Sequence, residues 1–234
     1  EVAYLLLYGE LPNKQTLTEY QQQLKKLREV PPELLAVLER IPAGAHPMDV
    51  MRTGCSMLGT LEPEDSFSSQ LDTANRIMAI FPGILMYWHH FSSSGKRTTT
   101  STDEESLAGH FLHLLHGYSP NDLHKKGMDV SLILYAEHEF NASTFTARVC
   151  AATLSDMYSA VTGAIGTLRG PLHGGANEAA MELIQQFSDP ENAISGLKKM
   201  LNRKEKIMGF GHAVYRESDP RNQIIKYLKY FNST

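Results

Sequence analysis

Apolar residues recur at helical spacing along nearly the whole chain. Leu17, Tyr20, Leu24 and Leu27 follow i, i+3, i+7 and i+10, which aligns them as one stripe of an amphipathic helix. Pro31-Pro32 closes that helix and opens the next, because proline is accepted at a helix start and not inside one. Leu34, Leu35 and Leu38 mark the short helix that follows, ended by Pro42 and Gly44. Further on, Thr102 and Glu105 form a capping-box pattern ahead of Leu107, Phe111, Leu114 and Leu115, and Gly117 stands where a C-terminal cap belongs. Asp219-Pro220 supplies an N-cap and a first-turn proline for a last helix carrying Ile224, Ile225 and Leu228.

Strand signals are thin. Residues 130–135 form the best run, yet they continue through Ala136-Glu137-His138 without a turn residue and read equally well as a buried helix. No Asn-Gly or Asp-Gly hairpin turn occurs. The pattern predicts an all-α protein. Residues 92–102, rich in Ser, Thr, Lys and Arg, are expected to form a surface loop between two helical blocks. Gly163, Gly166, Gly170, Gly174 and Gly175 crowd together around Pro171, and chain this dense in glycine needs unusual backbone angles or a close approach to a neighbour. A domain junction beside a site is expected there.

Composition narrows the classes. The 234 residues are 42% hydrophobic and 21% charged, the range of folded globular chains, and can bury a core without staples. A net charge of −4 gives no electrostatic footprint for nucleic acid or an anionic membrane. The basic groups Lys198-Lys199 and Arg203-Lys204-Lys206 read as solvated helix faces. Cys55 and Cys150 form no disulfide framework, so reduced buried thiols in a reducing compartment are expected. No apolar run is long enough to span a bilayer. The first residue is Glu1, and the short Val2-to-Tyr8 run is wrongly flanked for a signal peptide, so the chain is expected to begin inside a longer protein.

Common catalytic templates fail. Gly95-Lys96 lacks the first glycine and the Ser or Thr of a phosphate-binding loop, and His138-Glu139 lacks the second histidine of a zinc protease. His110, His113 and His116 spread around a helix with no acidic or thiolate ligand to complete a metal set, and with the His89-His90 pair they read as ordinary core or surface histidines. No metal site is expected. Three other histidines sit in segments odd for a core helix. His173 lies in Gly170-Pro171-Leu172-His173-Gly174-Gly175-Ala176-Asn177, just ahead of a helical pattern. The positive end of that helix disfavours protonation, and a neutral imidazole is a good donor to a carbonyl becoming an enolate. His212 lies in Gly209-Phe210-Gly211-His212-Ala213-Val214-Tyr215-Arg216, near Asp219-Pro220-Arg221, where two arginines point to carboxylate or phosphate recognition. His138 marks a polar break, Glu137 to Ser143, between apolar stretches. Each alone reads equally as a site residue or a satisfied core residue; their shared setting favours a site.

Those three blocks, in this order and spacing, resemble the signature segments of the citrate synthase family. His46-Pro47-Met48 with Arg52, and the opening Tyr4 to Pro12, resemble it too, so the likeness covers essentially the whole chain. The resemblance implies a two-domain helical fold, with a large domain over residues 1-174 and the start of a small domain over 175-234. It implies an acyltransferase that condenses an acyl-CoA with oxaloacetate and then hydrolyses the thioester, with no metal or redox cofactor. His173 would hold the thioester carbonyl and stabilise the enol, and His212 would bind and protonate the oxaloacetate carbonyl. His138 and Arg221 would contact oxaloacetate, while Arg216 and a loop of Ile207, Gly209, Phe210 and Gly211 would hold CoA. The stretch from Tyr135 to Phe140 resembles the 2-methylcitrate branch, which takes propionyl-CoA, and places Tyr135 about one helical turn from His138, where it could line the acyl pocket. A homodimer in the cytoplasm, or in the mitochondrial matrix of a eukaryote, is expected.

The family's proton-abstracting aspartate lies beyond position 234; Asp156 and Asp219 occupy other places, and Asp219 reads as a helix cap. A chain ending at Thr234 is therefore expected not to abstract the proton. Two rival readings stand beside the first: a citrate synthase using acetyl-CoA, and a non-catalytic helical protein that binds CoA or a partner.

Overall fold

The computed structural model describes residues 1–139, 141–211 and 214–230. Among the described residues there are twelve α-helices, one 3-10 turn and no strand. Helices α1 (Val2–Tyr8), α2 (Lys14–Lys26), α3 (Pro32–Leu38) and α4 (Pro47–Leu61) lead through the 3-10 turn Phe67–Ser69 into the long α5 (Gln70–Ser94). Then come α6 (Leu107–His116), α7 (Asp122–Tyr135), α8 (Ala142–Ala151) and α9 (Met157–Leu168). The chain closes with α10 (Gly175–Gln185), α11 (Pro190–Asn202) and α12 (Pro220–Tyr230). The all-α expectation holds.

Starts are written in short polar side chains. Asn13, Ser106, Asn121, Asn141, Asp156 and Asp189 each accept a hydrogen bond from a first-turn N–H of the helix they precede. Pro32, Pro47 and Pro190 open helices where a missing N–H costs nothing. Gly9, Gly95 and Gly117 close them in the left-handed conformation.

The core lies where α5 crosses α3, α4 and α9. Leu34, Leu38, Val50, Cys55, Leu58, Ile80 and Ile84 are fully buried there, with Tyr87, Trp88, Tyr158 and Ile165 around them. Gly59 lets α9 come close: a Cβ on it would stand 2.6 Å from Cβ of Tyr158, which is itself buried. A second anchor is the fully buried Arg28. Its Nη1 donates to the carbonyls of Thr102 at 3.0 Å and Glu104 at 2.5 Å, pinning the segment ahead of α6 to the end of α2. His90 Nε2 donates to the Leu114 carbonyl at 2.8 Å and ties α5 to α6.

Several sequence expectations change. Thr102 does not cap α6; its hydroxyl faces His110 Nδ1 at 3.0 Å, and with Arg28 holding the carbonyls of 102–106 the chain stays extended until Ser106, the true cap. Residues 92–94 belong to α5, because Gly95 rather than Ser92 supplies the left-handed stop. Within the remaining loop Thr100 is buried, and its hydroxyl accepts from the Val30 N–H at 3.2 Å. Residues 130–135 are helical but not buried: α7 has no buried residue, and Leu132 and Ile133 are exposed. Cys55 is buried as expected, whereas Cys150 is half-buried; both are free thiols. Gly163 and Gly166 lie inside α9, beside Thr146 and Arg52, and Gly174 and Gly175 carry the close approach. Lys198, Lys199, Arg203, Lys204 and Lys206 are exposed, as solvated faces should be. No helix among the described residues is long and apolar enough to cross a membrane.

Two outcomes follow from this packing. At an exposed helical site Gly→Ala stabilises by about 1 kcal/mol. At Gly59 the added methyl meets buried Tyr158, so Gly59→Ala should instead destabilise by about 1–3 kcal/mol in urea denaturation. His110 is fully buried, and burial, helped by the charges of Arg28 and His113 and opposed by Glu104, holds it down to about 3 from its ordinary 6.5. Its folded value lies below the unfolded one, so the unfolded chain takes the proton first and stability, complete above 6.5, is lost as the pH falls towards 3. We expect about 2 kcal/mol of loss from this group between pH 7 and pH 5, and a flatter profile for His110→Asn.

Candidate active site

Tyr135, His138, His173 and Arg221, four of the expected site residues, lie around the short connection between α7 and α8. That segment turns sharply at Glu139, whose φ of 59° is left-handed, with the Glu139 N–H donating to the Glu137 carboxylate. Asn141 then caps α8, taking the N–H of Thr144 at 2.8 Å. His138 is half-buried at the near end of the connection, and Ser143 stands at its far end in the first turn of α8.

His173 comes to Ser143 from the loop before α10. Its Nε2 lies 3.3 Å from the Ser143 N–H and 2.8 Å from the Ser143 hydroxyl. A backbone N–H can only donate, so this Nε2 presents a lone pair, the imidazole is neutral and its proton sits on Nδ1. The loop reaches this place because Gly174 is folded against the end of α9: a Cβ there would meet the Leu168 carbonyl oxygen at 2.5 Å. No other residue fits without moving backbone.

On the other side, the segment before α12 meets His138. The Tyr215 hydroxyl lies 2.6 Å from His138 Nε2, with the two rings edge to face, centroids 5.4 Å apart. Arg221, in the first turn of α12, has its guanidinium carbon 5.8 Å from the Tyr135 ring and 5.9 Å from the Tyr215 ring. Asp219 accepts from the Arg221 N–H, as a cap does, and also takes Nε at 3.0 Å and Nη2 at 2.6 Å from the same side chain. That hydrogen-bonded ion pair raises the Arg221 guanidinium above its ordinary range, so its charge is permanent.

Tyr135, His138 and Arg221, named from distant segments, are therefore brought together, and His173 reaches the same connection through Ser143. His212 lies outside the described residues, as does Phe140. The loop of Ile207, Gly209, Phe210 and Gly211 packs against α10, where a Cβ on Gly209 would stand 3.0 Å from Ala180; both glycines have left-handed φ, and Phe210 is exposed. Arg216 is exposed and makes no hydrogen bond or ion pair among the described residues. Among the described residues no cluster of three or more His, Cys, Asp or Glu is placed to hold a metal. Ser143, Tyr215 and the pairing of Asp219 with Arg221 were not singled out in the sequence. Neither was the link from His46 to Glu178 of α10, at 2.9 Å. His46 Nδ1 accepts the Met48 N–H, so Nε2 is the donor to that carboxylate.

Comparison with known proteins identifies the family. Residues 1–230 match the family described as citrate synthase, C-terminal domain. The chain is 68% identical to the 2-methylcitrate synthase of Shewanella oneidensis, over 97% of this chain and 60% of that protein. It is 42% identical to citrate synthase 2 of Bacillus subtilis, over 97% of this chain and 62% of that protein. The chain thus spans about three fifths of the length of these relatives. Among solved structures, the citrate synthase of Thermoplasma acidophilum, in a ternary complex with carboxymethyl coenzyme A and oxaloacetate, superposes with a TM-score of 0.88 at 30% identity, covering 98% of this chain and 61% of that one. The citrate synthase of Thermotoga maritima does so at 0.85 and 34%, covering 100% and 63%. A family match over residues 1–230, with relatives and solved structures that cover nearly the whole chain, has one meaning: the chain belongs to the citrate synthase family.

Proposed function

We propose that this chain provides the oxaloacetate pocket and the enol-stabilising histidine of a 2-methylcitrate synthase, which joins propionyl-CoA to oxaloacetate. The observation that carries the reading is the meeting of Tyr135, His138 and Arg221 from α7, its exit and α12, one connection away from a neutral His173. In this reading Arg221 pairs a carboxylate of oxaloacetate and His138 holds the keto-acid beside it. His173 donates from Nδ1 to the thioester oxygen while a carboxylate base removes a proton from the carbon next to the carbonyl. The enol carbon attacks the keto carbon of oxaloacetate, and His212 gives a proton to the oxygen that was the ketone. Water then cleaves the thioester, releasing CoA and 2-methylcitrate. Each step balances without a metal or redox cofactor. Arg216 and the loop from Ile207 through Gly209 and Phe210 to Gly211 hold the CoA.

The base is not assigned to this chain. Asp156 caps α9, accepting from the Ser159 N–H, and Asp219 is engaged with Arg221, so neither carboxylate is spare for proton abstraction. The same reading takes residues 1-174 as the large domain and 175-234 as the start of the small one, in a cytoplasmic homodimer. The exposed apolar side chains of Leu132 and Ile133 on α7, and of Phe145 and Val149 on α8, support partner-chain contacts there.

For the acyl group, the 68% identity to a 2-methylcitrate synthase against 42% to a citrate synthase favours propionyl-CoA. One methylene is worth only about 1–3 kcal/mol in a pocket, so acetyl-CoA should also react, more slowly. The test is CoA release by the full natural polypeptide with oxaloacetate and each thioester. We expect kcat/KM to favour propionyl-CoA by about tenfold or more. The reverse ratio returns the citrate synthase reading, and no turnover with either thioester leaves a non-catalytic binder. His173→Ala should lower condensation by about a hundredfold or more while oxaloacetate binding, followed by calorimetry, is retained; unimpaired turnover would remove His173 from this role.

A further inference from the structure

We propose that Tyr215 is a positioning residue of the oxaloacetate pocket: its hydroxyl orients the His138 imidazole, and its ring, with that of Tyr135, flanks the Arg221 guanidinium. The proposal rests on the function given above and assigns a part to a residue which that function leaves unused.

An imidazole on a two-fold side-chain torsion is not oriented by its backbone alone. At His138 the far ring atom, Nε2, meets the Tyr215 hydroxyl at 2.6 Å, which fixes the ring plane from a segment 77 residues away in sequence. The edge-to-face contact, at an interplanar angle of 88°, adds a second restraint. The same phenol ring serves Arg221. Tyr135 and Tyr215 lie at nearly equal distances from the guanidinium carbon, 5.8 Å and 5.9 Å, and Asp219 takes its Nε and Nη2. The donors on Nη1 then remain for a carboxylate that arrives from outside the cluster, since no hydrogen bond to Nη1 occurs among the described residues. Rings beside the cation and a carboxylate on one edge make Arg221 a fixed fork rather than a mobile surface charge. Both groups that would grip the keto-diacid are thus set by one tyrosine, half-buried between them.

A hydroxyl in contact with Nε2 has a second conceivable role, as an occupant that substrate must displace. The two roles predict opposite changes on its removal. The experiment compares the full natural enzyme with Tyr215→Phe and Tyr215→Leu, measuring kcat, both KM values and thermal stability. Loss of one neutral hydrogen bond should raise KM for oxaloacetate about three- to tenfold in Tyr215→Phe, with KM for the acyl-CoA and the melting temperature unchanged. Tyr215→Leu, which also removes the ring beside Arg221, should raise it further. In a His138→Asn background the Tyr215→Phe change should have no added effect. A fall in KM for oxaloacetate overturns the proposal in favour of the displaced occupant, and an unchanged KM in an active enzyme overturns it alone. If the parent enzyme turns over no acyl-CoA, the function above fails, and nitrogen-15 NMR of the His138 ring decides the positioning. Its resonances should move in Tyr215→Phe and stay in a Tyr118→Phe control; unmoved resonances overturn the proposal.

Discussion

A helix that begins in mid-chain leaves its first N–H groups without intrahelical partners, and each must find an acceptor elsewhere. At the start of α8 the acceptors come from two sources: Asn141 takes the Thr144 N–H, and the imidazole of His173 takes that of Ser143. A structural need of the helix thereby decides the chemistry of the histidine, because a ring nitrogen that accepts from backbone cannot hold a proton. The same device occurs at the start of α4, where the Met48 N–H meets His46 Nδ1 and turns Nε2 into the donor towards Glu178. In both places the orphan amide belongs to the second residue of the helix, and the imidazole is held without any charge of its own being required. The local geometry of α8, the loop that bears His173 and the pocket around His138 all depend on this one connection staying folded.

The helices were legible in the chain because their signals are local. The stripe from Leu17 to Leu24, Pro32 in the first turn of α3 and Gly117 after α6 act within one turn of themselves, and each is found where the spacing put it, although α2 stops at Lys26, ahead of the proline pair expected to close it. The errors came where a distant residue overrides the local preference. Thr102 has the form of a cap, but Arg28 holds its carbonyl and His110 its hydroxyl, so Ser106 takes the cap instead. Residues 130–135 have the apolarity of a buried element, yet none of them is buried, and Leu132, Ile133 and Tyr135 are exposed. The glycine-rich stretch shows both outcomes: Gly163 and Gly166 continue a helix, while Gly174 makes the close contact that the composition announced.

The site was legible in part for a similar reason. Histidines and arginines set among glycines and polar breaks announce themselves by composition, and Tyr135, His138 and Arg221 do converge. Ser143 and Tyr215 gave no such signal. A serine in the first turn of a helix and a tyrosine in an irregular segment look like many others, and their importance comes from partners 30 and 77 residues away. Asp219 was legible as a cap, which it is; its second role on Arg221 needs the side chains in three dimensions.

Arg28 has a consequence for how the chain is made. Its carbonyl partners on Thr102, Glu104 and Ser106 lie 74, 76 and 78 residues downstream. At a synthesis rate of about 5–20 residues per second, roughly 4–15 s pass between the two ends of this clamp leaving the peptidyl-transferase centre. Throughout that interval the guanidinium lacks these three carbonyl acceptors, and sealing it into an apolar interior without them would cost several kcal/mol. The earliest helices are thus kept from closing over their own charge until the segment that neutralises it has arrived, a built-in delay that orders assembly along the nascent polypeptide.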